Sequence, residues 1–173
     1  MAGVTLAYVL GCAGTWMIAQ SGYVGAPING DRATVRYALG APDAFRGGEP
    51  TWSTKGDSDA ALFWQYESPK TLVSFDPVTD RTTSITCLQD ARSSGAPCPG
   101  VLGVRIGDLE QDVLEVIGTP TSSSISNGRK TLHYEEVGYD FVLERLRVIG
   151  VRSTPSEGGA LNSLGRFLIW LVP

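Results

Sequence analysis

The chain has 173 residues, 42% of them hydrophobic and 18% charged, and its formal net charge is −4. This length is enough for one sizeable hydrophobic core or two small ones. The acidic balance and the lack of a basic cluster argue against a nucleic-acid-binding protein, because neutralising phosphates requires clustered Lys and Arg.

The N-terminal segment, residues 4–23, is predicted to form a transmembrane helix. No charged side chain precedes Asp31, and about 20 apolar residues suffice to cross about 30 Å of hydrocarbon. Trp16 is then expected to contact the membrane or a partner. Two alternatives remain open. Residues 9–12, Val-Leu-Gly-Cys, resemble a bacterial lipidation motif with Cys12 as the modified residue, and the segment also fits a buried helix of a soluble domain.

A short helical pattern occurs twice in the chain. From Val35 to Pro42, and again from Val113 to Pro120, the order is Val, three residues, Leu or Ile, Gly, any residue, Pro. The glycine favours a left-handed helix end and the proline blocks continuation. The two stretches therefore indicate an internal duplication with one helix in each copy.

The second helix shows the clearer amphipathic pattern. Asp108 is predicted to be its N-cap, and Leu109, Val113, Val116 and Ile117 fall at the i, i+4, i+7 and i+8 positions of one apolar face. Such a face is expected to cover a sheet.

Each helix precedes three segments with strand character. They are residues 62–66, 71–75 and 82–86 in the first copy, and residues 130–134, 139–143 and 147–151 in the second.

An α+β protein is the expected arrangement of these elements. It would comprise an N-terminal transmembrane helix, two tandem repeats of one helix plus a three-stranded antiparallel sheet, and a short C-terminal apolar helix.

Cys87 and Cys98 lie in the polar connector between the copies. A disulfide closing this loop would stabilise the fold by about 2 to 3 kcal/mol. Free thiols and a zinc pair remain open, although zinc needs further ligands and the single histidine, His133, has no ligand spacing around it. A disulfide implies an oxidising compartment. The predicted localisation is therefore the bacterial inner membrane, as a single-pass protein with its main body in the periplasm.

The C-terminal segment is apolar but too short to span a bilayer. Phe167, Leu168, Trp170 and Leu171 are predicted to contact either the membrane or a partner. The alternative is a terminal helix docked on this protein's own sheet.

A family resemblance rests on the order of these motifs. The helix ending in Leu/Ile-Gly-x-Pro, the strand Phe63-Trp64-Gln65-Tyr66 or Leu132-His133-Tyr134, and the strand 138–141 (Gly-Tyr-Asp-Phe) together resemble the SmpA/OmlA domain. That family includes the small lipoprotein of the outer-membrane β-barrel assembly machinery, and its fold is similar to the tandem repeats of β-lactamase inhibitor protein. The resemblance covers residues 30–86 and 103–152.

The resemblance implies binding or scaffolding without a catalytic site. The predicted division is a membrane anchor at 1–28, a first repeat at 29–90, a linker at 91–102, a second repeat at 103–153, and a linker with the C-terminal apolar segment at 154–173.

No motif supports an enzyme, so no catalytic, cofactor-binding or metal-binding residue is predicted. Residues 56–58, Gly-Asp-Ser, resemble the nucleophile block of some esterases but lack the Asp-x-x-His partner motif. Residues 128–131 lack the glycine spacing of a Walker motif, and the acidic loop residues lack EF-hand spacing. His133 is interpreted as a surface or structural residue.

Three functions are compatible with these patterns. The first is a non-catalytic, membrane-anchored periplasmic accessory subunit that stabilises or helps assemble an integral membrane complex, such as a photosynthetic reaction centre or respiratory complex. The alternatives are a membrane-displayed inhibitor or ligand-binding module and an outer-membrane assembly lipoprotein. A binding module would contact its partner through aromatic strand residues, namely Phe63, Trp64 and Tyr66 together with residues 139–141.

Overall fold

The computed structural model describes residues 22–47, 52–54, 58–89 and 95–156. These residues form one large antiparallel sheet, a separate two-stranded hairpin and two short α-helices. In chain order the elements are β1 (Gly22–Tyr23), β2 (Ala26–Pro27), α1 (Arg32–Leu39), β3 (Ala44–Arg46), a 3-10 turn (Ser58–Ala60), β4 (Phe63–Glu67), β5 (Lys70–Phe75), β6 (Thr82–Leu88), α2 (Glu110–Ile117), β7 (Ser122–Ser126), β8 (Arg129–Tyr134), β9 (Tyr139–Glu144) and β10 (Arg147–Ser153).

The large sheet has eight strands in the order β3-β4-β5-β6-β10-β9-β8-β7. Strands β3 to β6 form one meander and β7 to β10 form another, and each meander follows a helix along the chain. The two meanders join edge to edge where β6 pairs antiparallel with β10, with Cys87 opposite Val151. We call this junction the seam.

The predicted fold class is wrong. The sequence suggested two separate units of one helix and three strands behind a transmembrane helix, whereas the described chain is mainly β and builds one continuous sheet. The short strands β3 and β7 were not expected, because β3 has only three residues and β7 is a serine-rich segment without hydrophobic alternation. The pairing of β6 with β10 then removes the boundary that two independent sheets would have.

The predicted membrane helix and the localisation derived from it are also corrected. Gly22 and Tyr23, the last residues of the expected helix, form β1 and pair with β2. Within the described ranges, no helix has the length and apolar character needed to cross a membrane. Residues 1–21, with Cys12 and Trp16, lie outside the described part, as do Phe167, Leu168, Trp170 and Leu171.

Both helices pack on the same face of the sheet, and the core lies between them and the sheet. The helix-facing side chains of neighbouring strands are buried, including Trp64, Val73, Ile85, Val151, Phe141 and Leu132. The β1–β2 hairpin lies on this side too, because Tyr23 makes an edge-on contact with the Tyr139 ring at 6.3 Å. We call the opposite face, on which no helix of the described residues packs, the open face.

Each meander fastens its helix through a tyrosine. The Tyr66 hydroxyl donates to the Gly40 carbonyl at 3.3 Å, and the Tyr134 hydroxyl donates to the Gly118 carbonyl at 2.8 Å. Both glycines have positive φ, as the Leu/Ile-Gly-x-Pro pattern predicts. Burial raises the pKa of Tyr66 to about 12 and also raises the pKa of Tyr134.

The second helix starts one residue later than expected. Leu109, not Asp108, is the N-cap, and its backbone N–H donates to the Asp112 carboxylate at 2.9 Å. The Asp108 carboxylate instead accepts from the Arg105 backbone N–H. Of the expected apolar face only Val113 is fully buried, and Val116 is 56% exposed. A two-turn helix presents few residues to the sheet beneath it, so most of this helix faces outward.

Cys87 and Cys98 form a disulfide, with their Cα atoms 5.8 Å apart. Cys87 lies on the helix side of β6 at the seam and is fully buried. The disulfide therefore fastens the connector between the two meanders to the centre of the sheet.

Gly150 sets the close approach of the two strands at the seam. A Cβ atom at this position would lie 2.9 Å from the Cys87 carbonyl oxygen and 2.4 Å from a methyl carbon of Leu88. We expect Gly150→Val to separate β6 from β10 and to lower the free energy of unfolding by about 3 kcal/mol, the scale of severe overpacking. Urea denaturation measures this loss. Ile149→Val, at the neighbouring position of β10, is the matched control and should cost at most about 1.5 kcal/mol; equal losses in the two variants would contradict this role of Gly150.

The buried tyrosines predict a loss of stability in alkali. The pKa of Tyr66 is raised to about 12, so the folded protein retains this proton above the pH at which the unfolded chain releases it. The contribution of protonated Tyr66 to the free energy of unfolding is therefore fully present below about pH 10 and is lost as the pH rises through 12. Unfolding monitored by circular dichroism, together with tyrosinate absorbance, tests this. Ionisation of every tyrosine near pH 10 without unfolding would contradict it.

Candidate functional site: the open face of the sheet

The open face carries two groups of interacting side chains, one near each edge of the sheet. The first, which we call the aromatic clamp, consists of Arg46, Trp52 and Phe63. The second, which we call the polar row, crosses five strands from β7 to β6 and consists of Ser124, His133, Asp140, Arg152 and Thr86. Leu72 of β5 lies between them, opposite Thr86 in the pairing of β5 with β6.

The aromatic clamp holds an arginine against two aromatic rings. The Arg46 guanidinium carbon lies 5.0 Å from the Trp52 ring centre and 4.6 Å from the Phe63 ring centre. Trp52 is positioned because the next residue, Ser53, exchanges two backbone hydrogen bonds of 2.8 Å with Phe45 of β3. This pairing extends the sheet by one bridge and places Trp52 beside Arg46.

One hydrogen-bond donor of the aromatic clamp has no partner among the described residues. The Arg46 Nε atom is buried and has no hydrogen-bond partner among the described residues, although a buried donor without a partner costs stability. Trp52 is 37% exposed and Phe63 is half-buried. The clamp therefore combines a cation, two aromatic rings and partial exposure at the surface.

The polar row is a chain of hydrogen bonds and ion pairs. Ser124 Oγ lies 2.9 Å from His133 Nε2, and His133 Nδ1 lies 3.0 Å from Asp140 Oδ1. Arg152 Nη1 is 3.8 Å from the other carboxylate oxygen of Asp140, and Arg152 Nε donates to Thr86 Oγ1 at 3.4 Å. Asp140 is only 8% exposed, and its carboxylate has Arg152 as a charged partner on one neighbouring strand and His133 as a hydrogen-bond partner on the other.

Strand register explains why these residues meet. His133 is opposite Asp140, and Asp140 is opposite Arg152. The Asn127–Gly128 turn, with positive φ at both residues, closes a two-residue hairpin between β7 and β8. Ser124 is then placed diagonally across from His133 on the same face.

The structure separates the residues predicted to contact a partner. Phe63 lies on the open face, but Trp64 is fully buried on the helix side and Tyr66 is 7% exposed. In β9 likewise, Asp140 faces the open side, whereas Tyr139 and Phe141 face the core. Alternation along a strand makes this separation unavoidable, because adjacent side chains point to opposite faces.

The polar row and the clamp were missed from the sequence. His133 has no recognisable ligand or triad spacing along the chain, because its partners come from different strands. The available signal was the Asn127-Gly128 turn, which fixes the register of β7 and β8 and would have placed Ser124 near His133. No cluster of three or more His, Cys, Asp or Glu side chains that could hold a metal ion occurs in the part of the chain that the structure describes.

Comparison with known proteins gives no family. No protein-family model matches the chain, and no curated protein matches it. Solved structures with similarity include a DUF4309 family protein (YjgB) from Bacillus subtilis, at 17% identity and a TM-score of 0.49, covering 76% of this chain and 83% of that one.

A second similar structure is an extracellular protein containing an SCP domain from Bacillus anthracis, at 12% identity and a TM-score of 0.46. The match covers 78% of this chain and 45% of that protein. Similarities of this degree carry no inference about function. The resemblance to the SmpA/OmlA domain stays a prediction from sequence.

The aromatic clamp predicts a substitution that spares the fold. Arg46→Met keeps an unbranched side chain between Trp52 and Phe63 and removes the unpaired buried donor, while losing two cation–π contacts of about 0.5 to 1 kcal/mol each. These effects oppose each other, so we expect the free energy of unfolding to change by less than about 1 kcal/mol. Urea denaturation measures it, with Trp64→Ala as a core variant expected to lose about 3 to 5 kcal/mol. A loss above about 2 kcal/mol for Arg46→Met would show that Arg46 is a structural residue.

Proposed function

We propose that this protein is a binding module whose ligand is another protein, and that the partner docks on the open face. One observation carries the proposal: both helices, the hairpin and the disulfide lie on one side of the eight-stranded sheet, while the other side presents the aromatic clamp. The role is that of an accessory or inhibitory subunit, which acts by occupying a partner's surface.

The composition of the clamp supports a protein partner. Binding hot spots at protein interfaces are enriched in Trp, Tyr and Arg, and they are ringed by near-neutral contacts that exclude water. Trp52 and Arg46 have this character, and the half-buried Leu72 and Phe63 provide the apolar surroundings. The Arg46 guanidinium favours a partner with an exposed carboxylate, because arginine binds carboxylates through paired hydrogen bonds.

The dimensions of the sheet are also suitable. Eight strands spaced by about 4.8 Å span roughly 34 Å, and a standard interface buries about 800 Å² on each partner. The six-residue strands add about 20 Å in the other direction, so the open face measures about 700 Å², close to this standard size. The prediction that the partner is an integral membrane complex depended on the terminal segments, which lie outside the described residues.

Affinity purification of the full chain with matched variants tests the proposal. We expect Trp52→Ala and Arg46→Glu to lose a partner that the wild-type chain captures from its native cells, since an interface hot spot contributes at least about 2 kcal/mol, or roughly 30-fold in affinity. Tyr37→Ala is the control, because Tyr37 is 94% exposed and lies on α1, on the other side of the sheet.

The proposal requires the partner to be retained by Tyr37→Ala and lost by both clamp variants, with all chains folded by circular dichroism. Retention of the same partner by every variant would overturn it. Loss with Tyr37→Ala but not with the clamp variants would place the binding surface on the helices instead.

A further inference from the structure

The polar row has a geometry that binding alone does not require. Ser124, His133 and Asp140 stand in the order hydroxyl, imidazole, carboxylate, with separations of 2.9 and 3.0 Å. The hydroxyl contacts Nε2 and the carboxylate contacts Nδ1, which is the assignment of ring nitrogens found in serine nucleophile triads. From this geometry we propose that Ser124 is an activated nucleophile that accepts acyl groups from carboxylic esters.

The carboxylate determines which ring nitrogen of His133 carries the proton. An ionised carboxylate can only accept hydrogen bonds, so Asp140 Oδ1 requires a proton on His133 Nδ1. In the neutral imidazole Nε2 is then a free acceptor, and the Ser124 hydroxyl donates to it. Asp140 is a positioning residue, which holds the tautomer that makes His133 a general base.

The surroundings keep this arrangement in place. Asp140 is 8% exposed and is flanked by Arg152 on β10 and His133 on β8. His133 is half-buried, while Ser124 lies on the exposed edge strand β7. The base and its positioning group are therefore sheltered, and the nucleophile is accessible to a reagent in solution.

The reaction balances with the residues present and water. Ser124 Oγ bonds to the ester carbonyl carbon, its proton moves to His133 Nε2, and the bond from the carbonyl carbon to the alkoxy oxygen breaks. The alcohol leaves with the proton from His133, and water later hydrolyses the acyl-serine to a carboxylic acid. The geometry predicts reactivity of the serine rather than rapid turnover, so covalent labelling is the appropriate measurement.

Strand β7 provides an internal control. Ser122 and Ser124 lie on the same strand and the same face, and Ser122 is the residue directly opposite His133 in the register. The hydrogen bond to Nε2 nevertheless comes from Ser124. Simple exposure predicts equal reactivity of the two serines, whereas the proposed nucleophile predicts selectivity for Ser124.

Labelling of the full chain with an alkyl fluorophosphonate, followed by peptide mass spectrometry, tests the inference. In this reaction Ser124 Oγ bonds to phosphorus, fluoride leaves, and the proton passes to His133. We expect wild type and Ser122→Ala to be labelled at Ser124 and Ser124→Ala to be unlabelled. We expect His133→Gln to react at least about 100-fold more slowly, the lower end of general-base catalysis.

A second measurement tests the positioning role of Asp140. His133 is the only histidine, so ¹⁵N-labelled histidine gives the spectrum of one residue. We expect the Nδ1-protonated form in the wild type and a shift away from it in Asp140→Asn, with Asp140→Glu restoring it in part.

No labelling of Ser124, equal labelling of Ser122 and Ser124, or unchanged labelling in His133→Gln would overturn the inference, as would an Nε2-protonated ring in the wild type. These experiments need no partner protein. Their failure therefore leaves the proposed binding function standing, and failure of partner capture leaves the inference on Ser124 standing.

Discussion

The antiparallel pairing of β6 with β10 is the constraint on which the rest of this structure depends. It joins two meanders into one sheet. The buried side chains of both helices and of the strands beneath them then form a single hydrophobic cluster. The seam requires Gly150, because a side chain there would meet the Cys87 carbonyl and Leu88. The disulfide then ties the connector between the meanders to the same strand.

The two faces of the sheet have different roles because of this seam. The helix side contains the large buried apolar residues, the two tyrosines that hold the helices and the disulfide, and these features stabilise the fold. On the open side the seam aligns Thr86 of β6 with Arg152 of β10, and so connects the polar row of the second meander to the surface of the first. A binding face and a reactive serine can coexist on one surface, because the clamp and Ser124 lie near opposite edges of the sheet.

Local pattern was a good guide to the elements and a poor guide to their assembly. Strong β-formers and the Leu/Ile-Gly-x-Pro ends predicted the C-terminal ends of both helices and the bounds of six strands to within about two residues, since these signals depend on neighbours along the chain. The seam could not be predicted from local pattern, because the paired residues Cys87 and Val151 are 64 positions apart in the chain. The expectation of a membrane helix failed at Gly22 and Tyr23, where an uncharged run ends in a hairpin.

The candidate site was predictable only in part. Aromatic strand residues were predicted to form a binding surface, but strand alternation leaves Phe63 on the open face and places Trp64 and Tyr66 in the core. Arg46 belongs to a strand too short to recognise, and Trp52 is placed by a single bridge between Ser53 and Phe45. The pairing of Ser124 with His133 depends on a diagonal contact between strands, which composition and motif spacing do not encode.

Site-specific photocrosslinking tests the central claim, that the open face binds a partner, most directly. A photoreactive amino acid at Leu72 would sit in the middle of the open face, and one at Tyr37 would sit on the outer surface of α1. We expect a discrete crosslinked complex from Leu72 and none from Tyr37 when the full chain is irradiated in its native cells. A complex formed from Tyr37 and not from Leu72 would contradict it.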